Sequence, residues 1–460
     1  MQRLSGLDAS FLYLETASQP MHVCSIMELD TSTMPGGYTF DRLRDALSLR
    51  LKAMPQFREK LANSPLNLDH PVWVDDEHFD VDRHLHRIGL PPPGGRTELS
   101  EICGHIASLP LDRGRPLWEM WVIEGVAGAN SDRLAVMTKV HHSGVDGVTG
   151  ANLMSQLCAT EPDAPAPEPV DGVGGGSGWQ IAAGGLIRFA GRPLRLANVV
   201  PQTVSSVVAT MRKAVEGRAM ARPFAAPRTA FNASITGRRN IAYAQLDLED
   251  VKTVKNHFGV KVNDVVMALV SGVLRQYLAE RNSLPEAPLV ASVPVSVHGK
   301  SDRPGRNQVS AMFSSLHTDI ADPVERLKAI AEANSVAKQH SSAIGASLLQ
   351  DWSQFAGPAV FGVAMRLYAR TRLTESMPVH NLVVSNVPGP QDPLYLLGCE
   401  VKAMYPLGPI FHGSGLNVTV MSLSGTLNVG LISCPDLLPD LWEMADDFAV
   451  AMEELLASAG

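Results

Sequence analysis

Apolar positions recur along this chain with two different spacings, and the switches between them mark out its elements. In the first third, Met21–Leu29 (MHVCSIMEL), Leu117–Glu124 (LWEMWVIE) and Arg133–Val140 (RLAVMTKV) are short apolar runs that read as strands. Phe40–Met54 instead carries its apolar residues at helical spacing, with Asp41 placed to start the helix. The run His141-His142-Ser143-Gly144-Val145-Asp146-Gly147 follows directly on the third strand, and Val148–Cys158 after it resembles a helix.

A second patterned region covers about 240–460. Ile241–Leu246, Leu289–Val297, Asn381–Val387, Leu416–Ser422 and Thr426–Ser433 read as strands. Asn263-Asp264 opens a helix over Val265–Arg281, because such side chains accept the free amides of a first turn. Pro323–Lys338 is an amphipathic helix and Pro439–Ala457 a closing one. Between the two regions, Ala164–Gly178 (APAPEPVDGVGGGSG) has no periodicity and predicts a mobile linker. The expected organisation is α/β. It has an N-terminal lobe over 1–160, a linker and crossover over 161–239, and a C-terminal lobe over 240–460. Each lobe would hold a mixed β-sheet with flanking helices.

Length and composition fit this division. The 460 residues are 45% hydrophobic and 19% charged, which suits a globular chain of two or three domains. A net charge of -8 argues against a general nucleic-acid binder. The cysteines Cys24, Cys103, Cys158, Cys399 and Cys434 are odd in number, scattered and free of Cys-x-x-Cys spacing. They predict reduced thiols in a cytoplasmic protein. The N-terminus lacks a signal-peptide core, and no apolar run is long enough to span a membrane, so membrane contact would be peripheral.

Charge placement adds one exception. From Ile181 to Arg228 the basic residues are Arg188, Arg192, Arg195, Arg212, Lys213, Arg218, Arg222 and Arg228, against one acid, Glu216. A basic, apolar segment of this kind suits an anionic membrane or lipid-droplet surface. A connector packed between lobes with an Arg-rich outer side fits the pattern equally.

The paired histidines carry the candidate chemistry. Adjacent residues leaving a strand point to opposite sides, so one imidazole can face a cleft while the other is held inside. Near neutrality an imidazole accepts a proton from an attacking alcohol. Gly144 and Gly147 permit a tight turn, and Asp146 can orient the loop. By spacing alone the pair reads as a catalytic base, a structural pair or metal ligands. Divergent side chains and the absence of H-E-x-x-H weigh against the metal.

The run resembles the H-H-x-x-x-D-G motif of CoA-dependent acyltransferases. These include the wax ester synthase/diacylglycerol acyltransferases, peptide-synthetase condensation domains and chloramphenicol acetyltransferase. Leu7-Asp8-Ala9-Ser10-Phe11-Leu12 with Met21-His22-Val23 is similar to the opening of the bacterial wax ester synthase/diacylglycerol acyltransferases. So are Pro110–Glu119 with its Pro-Leu-Trp, Asn263-Asp264-Val265-Val266, Pro294-Val295-Ser296 and Asn386–Pro390. The resemblance spans nearly the whole chain. It implies two acyltransferase-like lobes with the active-site tunnel at their interface and His142 as general base, supported by His141, Asp146 and Gly147, with Asn263, Asp264, Trp118 and Ser296 at the substrates. Acyl-CoA and a diacylglycerol or long-chain alcohol would be the substrates, with no cofactor and no metal. Competing assignments are a core or tunnel-wall role for Trp118, a helix-cap or domain-interface role for Asn263, and a structural one for Asp264.

Two positions depart from the family pattern: His298 replaces an expected Arg, and Gly305-Arg306-Asn307 inserts one residue into a Gly-Asn pair. The partner of Asp146 is therefore open among Arg113, Arg115 and Arg239. A carrier-protein-dependent condensation enzyme and a non-catalytic lipid-binding paralogue are the competing functions.

Overall fold

A computed structural model describes residues 1–63, 69–128, 131–144, 157–171, 178–190, 226–296, 309–344 and 378–459. The strands of the first half are β1 (Gln2–Arg3), β2 (His22–Asp30), β3 (Glu59–Ala62), β4 (Val72–Asp75), β5 (Leu85–Gly89), β6 (Trp118–Glu124), β7 (Arg133–His141) and β8 (Cys158–Ala159). Those of the second are β9 (Asn240–Asp247), β10 (Val290–Ser296), β11 (Val309–Ser315), β12 (Leu382–Val387), β13 (Tyr395–Leu396), β14 (Cys399–Leu407), β15 (Leu416–Leu423) and β16 (Thr426–Ser433).

They form a seven-stranded sheet, β5-β6-β7-β2-β14-β13-β8, a six-stranded sheet, β11-β10-β12-β15-β16-β9, and a small sheet, β1-β4-β3. Both large sheets are mixed: β5–β6, β10–β12 and β12–β15 are parallel, and the other pairs antiparallel. The expected split at residue 240 follows chain order rather than the sheets. Tyr395–Leu407 crosses back, and β14 pairs with β2 inside the first sheet. Backbone hydrogen bonding decides this, because β2 would otherwise be an exposed edge.

The helices are α1 (Gly6–Leu14), α2 (Phe40–Leu51), α3 (Arg96–Ser108), α4 (Gly178–Ala190), α5 (Leu248–Phe258), α6 (Val262–Glu280), α7 (Pro323–Ile344) and α8 (Leu441–Ala457). The seven-stranded sheet is covered on both faces, so its strands read as continuous apolar runs. On β7, Leu134 and Val136 join the core that holds Leu43, Leu47 and Leu51 of α2. Ala135 and Met137 join the opposite core with Leu99, Cys103 and Ile106 of α3. That second core also takes Ile241 of β9 and Ile432 of β16, so it is shared between the lobes. The sheets approach closely there. A Cβ on Gly430 of β16 would overlap the carbonyl oxygen of Pro406 in β14. The six-stranded sheet buries α6 almost all round, from Val265 to Leu278, beside α8.

Local details correct several expectations. Thr39, not Asp41, caps α2, its hydroxyl accepting from the Arg42 amide; Asp41 sits in the first turn. Helix α6 begins at Val262 after Lys261, and Asp264 reaches back one turn to accept the Lys261 amide at 2.9 Å. Gly259 supplies the left-handed residue (φ 67°) that stops α5 and lets α6 leave at 104°. The helix expected over Val148–Cys158 lies mostly outside the described residues, and Cys158 itself is in β8. The linker is fixed at one point at least: the Val170 amide donates to Lys52 O (3.0 Å) and Arg58 donates to Val170 O (2.7 Å).

Candidate active site

The site is built where β7 ends. Helix α1 starts with a reciprocal cap, Ser5 Oγ accepting the Asp8 amide (3.1 Å) and Asp8 accepting the Ser5 amide (3.2 Å). Leu4, Ala9 and Leu12 seat it against Trp73, Leu111 and Leu117. The helix stops at Leu14, so Glu15 follows in extended backbone. A tight turn, with Thr16 and Gln19 exchanging backbone hydrogen bonds of 3.2 and 3.0 Å, then feeds β2. In the β2–β7 ladder His22 stands opposite His141. Three chain segments thus bring Glu15, His22 and His141 together.

The two histidines of the motif diverge, as expected. His141 is fully buried. Its Nδ1 accepts the Ser143 amide at 3.0 Å and lies 2.8 Å from Ser143 Oγ. Its Nε2 lies 3.5 Å from Glu15 Oε1. His142 is half-buried, its amide donating to Met21 O (2.8 Å). Its ring stacks on Phe11 of α1, with centroids 4.0 Å apart and planes 14° from parallel. The turn closes through the Gly144 amide, which donates to His141 O (2.9 Å). A side chain at Gly144 would meet only ordinary contacts, 3.5 Å to His141 O and 3.9 Å to Trp73. That position does not require glycine, contrary to expectation.

Glu15 was absent from the sequence expectations, as was Phe11 in a site role. The Glu15 Oε2 accepts Nε (3.1 Å) and an Nη (2.5 Å) of Arg113, and its Oε1 also lies 3.4 Å from His22 Nε2. Burial would raise its pKa. The approach of the His141 and His22 rings to Oε1 and the hydrogen bonds of Arg113 outweigh that and hold the carboxyl well below the usual range. Burial pushes His141 down to about 4 despite the neighbouring Glu15, so it is neutral at pH 7. Arg113 also donates to Leu12 O (2.8 Å). Arg115 pairs with Asp112 at 3.4 Å. Arg239 donates to Ser18 O (2.9 Å), Thr236 O and Arg238 O. Asp146, Gly147 and His298 lie outside the described residues, as does the Gly305-Arg306-Asn307 insertion.

The remaining expected site residues are spread. Trp118 stands opposite Val140 in the ladder, on the sheet face away from His141. Its Nε1 donates to Phe57 O (2.8 Å), and its ring stacks on His84 at 4.7 Å between Phe57 and Phe79. It is a core residue, because the strand's alternation sends it there. Asp264 is buried and structural, accepting from Lys261 and from Asn334 Nδ2 (2.8 Å) of α7. Asn263 is half-buried in the first turn of α6, and Ser296 ends β10. The five cysteines are free and buried, with Cys24, Cys158 and Cys399 pushed up to about 12 by burial. Among the described residues no group of three or more His, Cys, Asp or Glu is arranged to hold a metal ion.

The fold is shared with the starter condensation domain of rhizomide synthetase: TM-score 0.57 at 13% identity, covering 100% of this chain and 95% of that one. Narrower matches define the class. The wax ester synthase/diacylglycerol acyltransferase catalytic domain matches residues 4–266, and the WS/DGAT C-terminal domain matches 306–456. The wax ester synthase/diacylglycerol acyltransferase from Marinobacter aquaeolei VT8 is 31% identical, with TM-score 0.72 and full coverage of both chains. A Mycobacterium tuberculosis (CDC 1551) relative described as "Putative diacyglycerol O-acyltransferase" is 62% identical, over 99% of this chain and 90% of its own. The chain belongs to the wax ester synthase/diacylglycerol acyltransferase family and is an acyltransferase.

Proposed function

We propose that this acyltransferase moves a long-chain fatty acyl group from acyl-CoA to diacylglycerol, making triacylglycerol, with long-chain alcohols as second acceptors giving wax esters. The observation that carries the assignment of chemistry is the placement of His142. Its ring leaves a fully buried strand end, is braced by Phe11, and stands beside a His141 committed elsewhere. A ring nitrogen of His142 takes the proton of the acceptor hydroxyl as that oxygen attacks the thioester carbonyl. The tetrahedral intermediate collapses, the C–S bond breaks, and the CoA thiolate recovers the proton. No acyl-enzyme is needed. Asn263 is the side-chain candidate for steadying the oxyanion, and the substrates meet at a tunnel where the lobes join.

The decisive assay mixes purified protein with labelled palmitoyl-CoA and diolein, and in parallel arms with hexadecanol. Triacylglycerol is expected from wild type and essentially none from His142→Ala. Equal ester from the variant overturns the assignment.

A peripheral lipid surface is the proposed site of work. No single described helix is long and apolar enough to cross a membrane. Helix α4 buries Ile181 against Val72 and Val74. On its outer side Trp179, Leu186 and Ile187 are 86%, 59% and 73% exposed, at i, i+7 and i+8 on one helix face. The basic residues that follow complement anionic headgroups. Flotation with vesicles containing phosphatidylglycerol should recover wild type. It should lose Trp179→Ser/Leu186→Ser/Ile187→Ser; unchanged flotation of that variant removes the assignment.

A further inference from the structure

Glu15 is a half-buried carboxylate that the proton transfer itself does not use. A carboxylate partly withdrawn from water at the end of α1 needs compensating partners. Here the compensation is two-sided. Arg113, from the loop before β6, occupies Oε2 through two nitrogens, and two histidines from adjacent strands face Oε1.

The hydrogen-bond pattern fixes what the carboxylate does to one of them. A backbone N–H can only donate, and the Ser143 amide points at His141 Nδ1 from 3.0 Å. Ser143 Oγ, 2.8 Å away, can donate or accept and so follows whichever tautomer is present; the amide can only donate, which favours an unprotonated Nδ1. In a neutral ring the proton sits on Nε2, which faces Glu15 Oε1 at 3.5 Å. The opposite tautomer would set two N–H groups against each other at Nδ1 and leave a bare Nε2 lone pair against a carboxylate. Glu15 thus selects the tautomer that lets His141 receive Ser143, and the His141–Ser143 contact shapes the turn that carries His142. Arg113 keeps the carboxylate ionised and aimed.

We infer that Glu15, clamped by Arg113, is a positioning residue: through His141 and Ser143 it sets the turn that presents His142 to the substrates. This rests on His142 being the base. Glu15 touches no reacting atom in this scheme, so its loss should lower turnover and leave acyl-CoA binding intact.

The test uses the full chain, with diolein and palmitoyl-CoA as substrates and 15N-histidine labelling for NMR. In wild type the His141 signals, identified by their loss in His141→Asn, should report an Nε2–H tautomer. Glu15→Ala should shift His141 away from that form and lower kcat roughly 10- to 100-fold with KM for acyl-CoA within about twofold. Glu15→Gln keeps an acceptor oxygen and should recover part of the loss and the Nε2–H signature. If Glu15→Ala does not fold, Glu15→Gln and Arg113→Gln decide, each expected to lower kcat without raising KM. His142→Ala is assayed alongside. An inactive His142→Ala with Glu15 variants at wild-type kcat, or with an unchanged His141 tautomer in Glu15→Ala, overturns the positioning role alone. An active His142→Ala overturns the base assignment first, and this inference with it.

Discussion

The Phe11 ring lies flat against the His142 imidazole, 4.0 Å between centroids and 14° from parallel. One partner comes from the first helix and the other from the end of β7, so the opening segment of the chain is part of the site rather than a preface to it. Stacking of this kind is worth about 0.5–1.5 kcal/mol and restricts the ring's rotation. Phe11→Ala is expected to lower kcat about tenfold by loosening the imidazole, with a smaller effect on stability because Phe11 is only half-buried. Steady-state kinetics beside a melting curve separate the two effects. Equal turnover would show that the stack is incidental.

Stability should fall on the acid side of neutrality. His141 and His380 are both pushed down to about 4 by burial, against an ordinary histidine value of 6.5. Between 6.5 and about 4 the unfolded chain binds protons that the folded chain refuses, so stability declines as pH falls through that window. Glu15 acts in the same direction lower down. Its folded pKa is depressed, so its contribution is complete above its ordinary value of 4.5 and is lost below it. Scanning fluorimetry from pH 8 to 4 should show Tm dropping from about pH 6.5. His380→Phe should flatten the upper part of that drop, and an unchanged slope would remove His380 from the account.

Lys139 is fully buried, its Nζ held by Glu119 (2.9 Å), Leu109 O (3.0 Å) and Ile106 O (3.2 Å). Burial raises the Glu119 pKa, and the Lys139 charge more than reverses it. Removing one partner should cost more than removing both. Lys139→Ala is expected to destabilise by roughly 3–5 kcal/mol, and Lys139→Met/Glu119→Leu by less. Denaturant titration of the two variants gives the comparison, and equal losses would show that the pairing is not the stabilising feature.

Gly430→Val should disrupt the approach of the two large sheets, because a side chain there meets Pro406 O. A cost of about 3 kcal/mol or more, seen as a lower Tm and poor soluble yield, is expected. Gly89→Ala, with open space around the added carbon, is the control and should stay near wild type.

How much was legible in the sequence follows from the range of each interaction. Periodicity located β2, β6, β7, β9, β15, β16 and the long helices to within a few residues, since burial of one or both faces writes itself into local spacing. It missed α1 and α3, whose caps are short polar signals, and it missed the pairing of β14 with β2, which joins residues about 375 positions apart. The motif histidines and their divergence were readable because strand geometry is local.

The surroundings of Trp118 and Asp264 were not legible, for the opposite reason. A strand's alternation is visible in sequence, but which face meets which lobe is not, and Trp118 proved to be on the far side from His141. Asp264 was readable as a helix-start residue, and its tie to Asn334 depends on how α7 packs against α6. The sequence alone determined the class of fold, the strand that ends in His141 and the family to which the chain belongs. Only tertiary structure decided that Arg113, His22 and His141 gather around the Glu15 carboxylate. Those four residues come from a helix end, a loop and two strands, and a carboxylate is stabilised by whatever surrounds it in space, not by its neighbours along the chain.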